Sequence, residues 1–181
     1  MKKLNNITKV IFMVIACSMI SIFLVNYMEK RHLLTTKENL TSHLEEFKTN
    51  DQNKVNVVLK KKIGDQYVLM YTSNGTGDKV GLAYYIKTDL FPLYEMIRDE
   101  EARHASLGSS FLNNEQFIVY GNAAVNGADY FQYRGYIDFK EVPLGTGRYF
   151  LHVESYDGQL GVPLVTFYNS EGEMLATAPA K

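Results

Sequence analysis

The chain has one cysteine, no tryptophan and only four prolines in 181 residues. A lone Cys17 excludes an intramolecular disulfide and leaves too few thiolates for a cysteine-based zinc site within one chain. Neither charge sign dominates: 19 Lys and Arg stand against 20 Asp and Glu, a formal net charge of −1. That balance argues against a nucleic-acid binder held by phosphate electrostatics. The zinc-protease pattern H-E-x-x-H and the nucleophile elbow G-x-S-x-G are both missing. Gly75-Thr76-Gly77-Asp78-Lys79-Val80-Gly81 lacks the dinucleotide-fingerprint spacing and reads as a β-turn. What is present is apolar: 46% hydrophobic and 13% aromatic residues exclude wholesale disorder and require a core.

The apolar residues are unevenly placed. Val10 to Val25 carries no charge, and extension through Met28 gives nineteen residues, about what a helix needs to cross ~30 Å of hydrocarbon. Ser18 and Ser21 can bond back to helix carbonyls, while Tyr27 and Lys30 suit the membrane interface. The expected order is therefore a cytoplasmic N-terminus (1–9), a transmembrane helix (10–28), a juxtamembrane stalk (29–54) and an extracytoplasmic domain (55–181). Lys2, Lys3 and Lys9 precede the helix and support the N-in orientation, although Lys30, Arg31 and Lys37 follow it. Two alternatives compete. Val14-Ile15-Ala16-Cys17 resembles a bacterial lipobox with Cys17 as the lipidated residue, and a cleaved signal is the other; the apolar run continuing to Val25 speaks against both.

In the juxtamembrane stretch Leu33, Leu40, Leu44 and Phe47 follow helical spacing in a narrow stripe, either a plain stalk or a seam for a partner helix. From Val55 the pattern changes to short Tyr-, Val- and Ile-rich runs separated by turn residues. Strands are predicted at 55–62, 66–73, 80–87, 111–112, 117–121, 132–141, 148–155 and 164–168. Residues 89–107 fit a helix or two strands equally. The fold class is mainly β: the transmembrane helix and helical stalk lead into an antiparallel β-sandwich or barrel-like domain.

Several of these runs carry a resemblance. Val80-Gly81-Leu82-Ala83, Ile118-Val119-Tyr120-Gly121-Asn122, Arg148-Tyr149-Phe150-Leu151 and Thr166 to Glu173 are similar to membrane-anchored extracytoplasmic β-domains of Gram-positive bacteria. The resemblance covers roughly residues 55–175 and implies strands rather than a helix at 89–107. It brings no activity or site residue with it.

Candidate chemistry is sparse. Of the histidines His32, His43, His104 and His152, only the last two fall after residue 55. Glu100 and His104 would sit one turn apart on a helix, but Arg98, Asp99, Glu101 and Arg103 around them read as a solvated charged run. His152 shares a strand face with Phe150 and Glu154, which suits a base and its orienter or, more commonly, a half-buried cross-strand residue. Lys60-Lys61-Lys62 reads as protection of an edge strand. After residue 28, 16 basic residues face 20 acidic ones, which again disfavours nucleic acid.

Tyrosine is enriched, with twelve of thirteen between Tyr67 and Tyr168. Tyrosine offers large contact area at low entropic cost. The expected function is thus a non-enzymatic, membrane-anchored module for a protein or envelope partner, with Tyr130, Arg134 and Tyr136 as contact residues. An envelope hydrolase or transferase using His104 or His152 is the alternative, and an accessory subunit of a membrane complex a third. No cofactor or metal is expected.

Overall fold

The computed structural model describes residues 2–30, 34–50, 53–73, 79–89, 91–102, 106–112, 115–135, 137–156 and 163–179. Helix α1 (Lys2–Lys30) is followed by the short helix α2 (Leu40–Lys48). Strands β1 (Val55–Ile63), β2 (Gln66–Ser73), β3 (Lys79–Lys87) and β4 (Tyr94–Glu101) form one antiparallel sheet in that order. Strand β6 (Gln116–Asn122) lies between β5 (Leu107–Leu112) and β9 (Tyr149–Ser155) in a second sheet, and the single turn α3 (Ala123–Asn126) follows it in the chain. Strands β7 (Tyr130–Arg134), β8 (Phe139–Pro143), β10 (Leu164–Tyr168) and β11 (Met174–Pro179) make the third sheet, ordered β11-β10-β7-β8. The chain is mainly β with all-antiparallel pairing, and no sheet closes into a barrel among the described residues.

Within α1, Ile7–Met28 is long and apolar enough to cross a membrane, and none of it is buried within the protein. Ser18 and Ser21 donate to the carbonyls of Val14 and Cys17 at 2.9 Å, so both hydroxyls are satisfied inside the helix.

Side-chain alternation in the three-stranded sheet builds the interior. Phe117 and Val119 of β6 and Leu107 of β5 join Phe131, Tyr133, Val165, Phe167 and Ala178 of the C-terminal sheet. Ile118, Tyr120 and Leu112 point the other way, into Val68, Met70, Val80, Leu82 and Tyr84 of the N-terminal sheet. The middle sheet is therefore apolar on both faces, and β6 is buried from Phe117 to Asn122. The far face of the N-terminal sheet, with Tyr67, Leu69, Tyr71, Ala83 and Tyr85, packs against Leu40 and Leu44 of α2. Its two covers explain why all eight residues of β2 are buried.

Two leucines of the helical stripe thus find apolar cover within the chain, whereas Phe47 is 48% exposed and Leu33 lies outside the described residues. Leu40 and Leu44 are fully buried, and His43, beside them, approaches the Tyr85 hydroxyl at 2.8 Å through Nδ1. Lys48 at the helix end donates to Tyr71 OH at 2.6 Å and pairs with Asp99 of β4, to which Tyr71 also donates. Upstream of α2, Thr35 exchanges two backbone hydrogen bonds with Tyr94, 2.9 and 2.7 Å long. Burial, reinforced by the Asp99 acceptor, pushes the Tyr71 phenol far above its ordinary range, so it remains a donor at any physiological pH.

Two tyrosine rings lie across glycines on neighbouring strands. A Cβ at Gly81 would run into the Tyr71 ring and come within 2.7 Å of the Glu100 carbonyl. One at Gly108 would meet Tyr120 Cζ at 2.6 Å. Each glycine leaves a slot in its sheet that a buried ring fills.

Three local expectations change. Residues 89–107, open between helix and strands, form β4 and the start of β5, because β3 offers β4 a free ladder from Lys87 back to Gly81. The predicted strand 132–141 is instead a hairpin, with Gly135 N–H bonded to the Asp138 carbonyl at 2.8 Å. The apparent alternation through Ile137 misled: Ile137 is 85% exposed, at the loop between β7 and β8. Strand β11 was not predicted, since its alanines and lone threonine carry little strand signal. The lysines of β1 do lie exposed on an edge strand. Of the run Gly75–Gly81 read as a turn, residues 79–81 open β3, and 75–78 lie outside the described residues.

Replacing Leu44 by Ala is expected to cost about 2–5 kcal/mol by opening a cavity under α2. Gly81→Ala should cost about 1–3 kcal/mol by overpacking. Lys61→Ala should stay within about 0.5 kcal/mol. Urea unfolding of the detergent-solubilised chain, followed by near-ultraviolet circular dichroism, checks all three.

Candidate functional site

Two places on the C-terminal sheet gather the candidate residues read from the sequence. The first is its outer face. Along β7 burial alternates, so Phe131 and Tyr133 point into the core while Tyr130, Gln132 and Arg134 point outward. The register places Tyr168 and Pro143 on either side of Tyr130, Thr166 and Glu141 beside Gln132, and Phe139 beside Arg134. The Tyr130 and Tyr168 rings stack with centroids 5.1 Å apart and planes within 11°. Met174 lies directly across from Tyr168. Phe139 is 72% exposed, Met174 66% and Leu164 55%. Gln132 donates to Glu141 at 3.0 Å across the middle of this face. The result is a flat surface of aromatic and aliphatic groups around a polar pair, open to solvent.

Of the contact residues proposed from sequence, Tyr130 and Arg134 share this face. Tyr136 lies outside the described residues, and the premise that it continues Arg134's strand is corrected: β7 ends at Arg134. Tyr168, Phe139, Leu164 and Met174 were missed. Tyr168 was legible as a strand residue, but only the β7–β10 register makes it Tyr130's neighbour.

The second place lies where the inner face of the same sheet meets β9. His152 Nε2 lies 3.3 Å from Glu154 Oε2, so the shared face read from the sequence brings the imidazole to the carboxylate. Glu154 also accepts from Tyr133 of β7 and pairs with Lys140 of β8. Lys140 was missed because a continuous strand would carry it far from Tyr133, whereas the hairpin sets the two opposite each other. The His152 ring meets Phe131 edge-on at 5.4 Å. Partial burial acts to raise the Glu154 pKa, but hydrogen bonds from Lys140, Tyr133 and His152 outweigh it and hold the carboxyl below its ordinary value. The same carboxylate, after burial, keeps the Tyr133 phenol protonated. All three donors converge on one acceptor, which ties β7, β8 and β9 together.

Chemically, this cluster holds an imidazole and an anion, and the hydroxyl in contact with them is the Tyr133 phenol, which burial and Glu154 keep protonated. His104, the other candidate, lies outside the described residues. Cys17 is exposed on α1, with helix continuing on both sides. Among the described residues no group of three His, Cys, Asp or Glu is arranged to hold a metal ion.

Because the native Glu154 pKa is lowered, its bonds favour folding above the ordinary value of 4.5 and lose their effect as pH falls through the native value. Thermal melts between pH 7 and 3 should show the wild type losing stability below about pH 4.5. Glu154→Gln should start less stable at pH 7 and show a shallower acid limb. No protein-family model matches the chain, and neither a curated protein nor a solved structure does.

Proposed function

We propose that this chain is a single-pass, membrane-anchored module whose sandwich-like β-domain lies outside the cytoplasm and binds a protein or envelope partner without catalysis. The outer face of the C-terminal sheet is its contact surface. The observation that carries this reading is the contrast between the two ends of the layered domain. The outward face of the N-terminal sheet is closed by α2, while the outward face of the C-terminal sheet leaves Phe139, Leu164 and Met174 exposed beside the Tyr130–Tyr168 stack. Exposed aromatic patches rimmed by polar groups are typical of interaction surfaces. Arg134 adds a charged anchor at the rim.

The tether supports the same reading. Four residues separate the end of α1 from Thr35, which is bonded to Tyr94 at the start of β4. If α1 spans the bilayer, that edge lies within about 18 Å of the helix end. The partner is then one reached close to the membrane surface.

The His152–Glu154 contact favours a second reading, an envelope hydrolase or transferase in which Glu154 orients the imidazole. Its weakness is that Glu154 is already engaged by Lys140 and Tyr133, which suits a structural tie.

Crosslinking in intact cells followed by capture of the full-length protein separates the two. Tyr130→Ala, Arg134→Ala and Tyr168→Ala should each weaken partner recovery, by about 1 kcal/mol or more at a hot spot, with melting temperature preserved. His152→Ala should leave cellular function intact. Loss of function on that change, in a protein that still folds, would promote the enzyme.

A further inference from the structure

The described cavity belongs to neither place. It has a volume of about 340 Å³ and lies where the β1–β2 turn meets the end of β3 and the β5–β6 hairpin. Its apolar wall is Ile63, Ile86 and Leu112, and its polar side carries Asp65, Glu115 and the amides of Gln66 and Gln116. Among the described residues no lysine, arginine or histidine lines it. None of its residues belongs to the C-terminal sheet.

Gln66 is the informative residue. It is only 7% exposed, at the first position of β2, and its Oε1 accepts no hydrogen bond among the described residues. A buried amide oxygen left without a donor costs on the order of 1–3 kcal/mol, and native proteins seldom retain one without a reason. The cavity beside it supplies two carboxylates, an apolar wall and the amide of Gln116, which makes no hydrogen bond to Gln66 Oε1 among the described residues.

From this arrangement we infer that the cavity binds an alkylammonium group: a primary amine whose N–H donors reach the Gln66 amide oxygen, whose charge is balanced by Asp65 and Glu115, and whose short alkyl stem lies on Ile63, Ile86 and Leu112. Charge-assisted bonds from an ammonium to carboxylates are the strong kind, and an anion entering between Asp65 and Glu115 would be repelled. The volume is at the small end of ligand sites, which fits one lysine-sized group rather than a nucleotide or an oligosaccharide. The same chemistry is presented by a free amine and by a lysine side chain of a peptide. The site is independent of the Tyr130 face.

Nuclear magnetic resonance of the Gln66 side-chain amide in the detergent-solubilised full chain tests it. The probes are n-butylammonium and the peptide acetyl-Gly-Lys-Gly-amide, with n-butanol and the norleucine peptide as uncharged counterparts. The expected result is a saturable shift with an ammonium probe and none with its counterpart. Tighter binding of butylammonium assigns a free amine, and tighter binding of the peptide a partner's lysine. Asp65→Asn combined with Glu115→Gln should raise the dissociation constant about tenfold or more, and these two exposed turn residues put the fold at little risk. Gln66→Leu, followed through the side-chain amide of Gln116 on the same cavity wall, should weaken binding as well. Absence of a saturable shift with both ammonium probes, equal shifts with the uncharged counterparts, or unchanged affinity in the Asp65/Glu115 variant would overturn the assignment. None of those results bears on capture through Tyr130.

Discussion

Between the two four-stranded sheets, one short sheet shows apolar side chains to both sides: Phe117 and Val119 toward the C-terminal sheet, Ile118 and Tyr120 toward the N-terminal one. Each four-stranded sheet has an inner face that must be buried, and the middle sheet is the common surface for both. A fully buried Val, Ile or Phe contributes about 1.5–3 kcal/mol, so β6 alone anchors a substantial share of domain stability. Polar bonds at the seams follow from this stacking. Ser110 Oγ accepts from Arg98 and lies 2.9 Å from Tyr84 OH, which donates to Glu100 on one side of the middle sheet. Ser109 donates to the Ala178 carbonyl on the other.

The same layering makes the two outer faces inequivalent. On the N-terminal sheet, Tyr71 accepts a hydrogen bond from Lys48 of α2, and the Tyr85 hydroxyl lies within hydrogen-bond distance of His43 Nδ1. The helix that follows α1 in the chain is thereby part of the packed structure. On the C-terminal sheet the outward tyrosines stack on each other and leave aliphatic neighbours in water. Tyrosine enrichment thus serves two ends: interior rings with donor hydroxyls on one side, an open aromatic surface on the other.

Much of the hairpin pattern was legible because turns and alternation are local. Ile63-Gly64-Asp65 and Asn169 to Gly172 mark reversals, and Asn169 Oδ1 indeed caps the second by accepting from Glu171 and Glu173 N–H groups. What was hidden is non-local. The helical stripe of Leu40 and Leu44 is narrow by itself, and nothing in it says which surface covers it. The continuous reading of 132–141 failed because Ile137 occupies a loop, where hydrophobicity reports no burial. Of the proposed contact surface, Tyr130 and Arg134 followed from alternation, whereas Tyr168 and Met174 depend on register between strands distant in sequence. Gln66 and Glu115 meet at one cavity only because the first and middle sheets pack together.

Amide hydrogen exchange of the full-length protein tests most directly whether the doubly covered middle sheet governs the fold. If it does, the β6 amides from Phe117 to Gly121 and those of β2 exchange only through global unfolding, with one common free energy, while the edge strands β4 and β8 open locally at lower cost. Exchange of β6 through local openings, at rates matching β4 and β8, would contradict it.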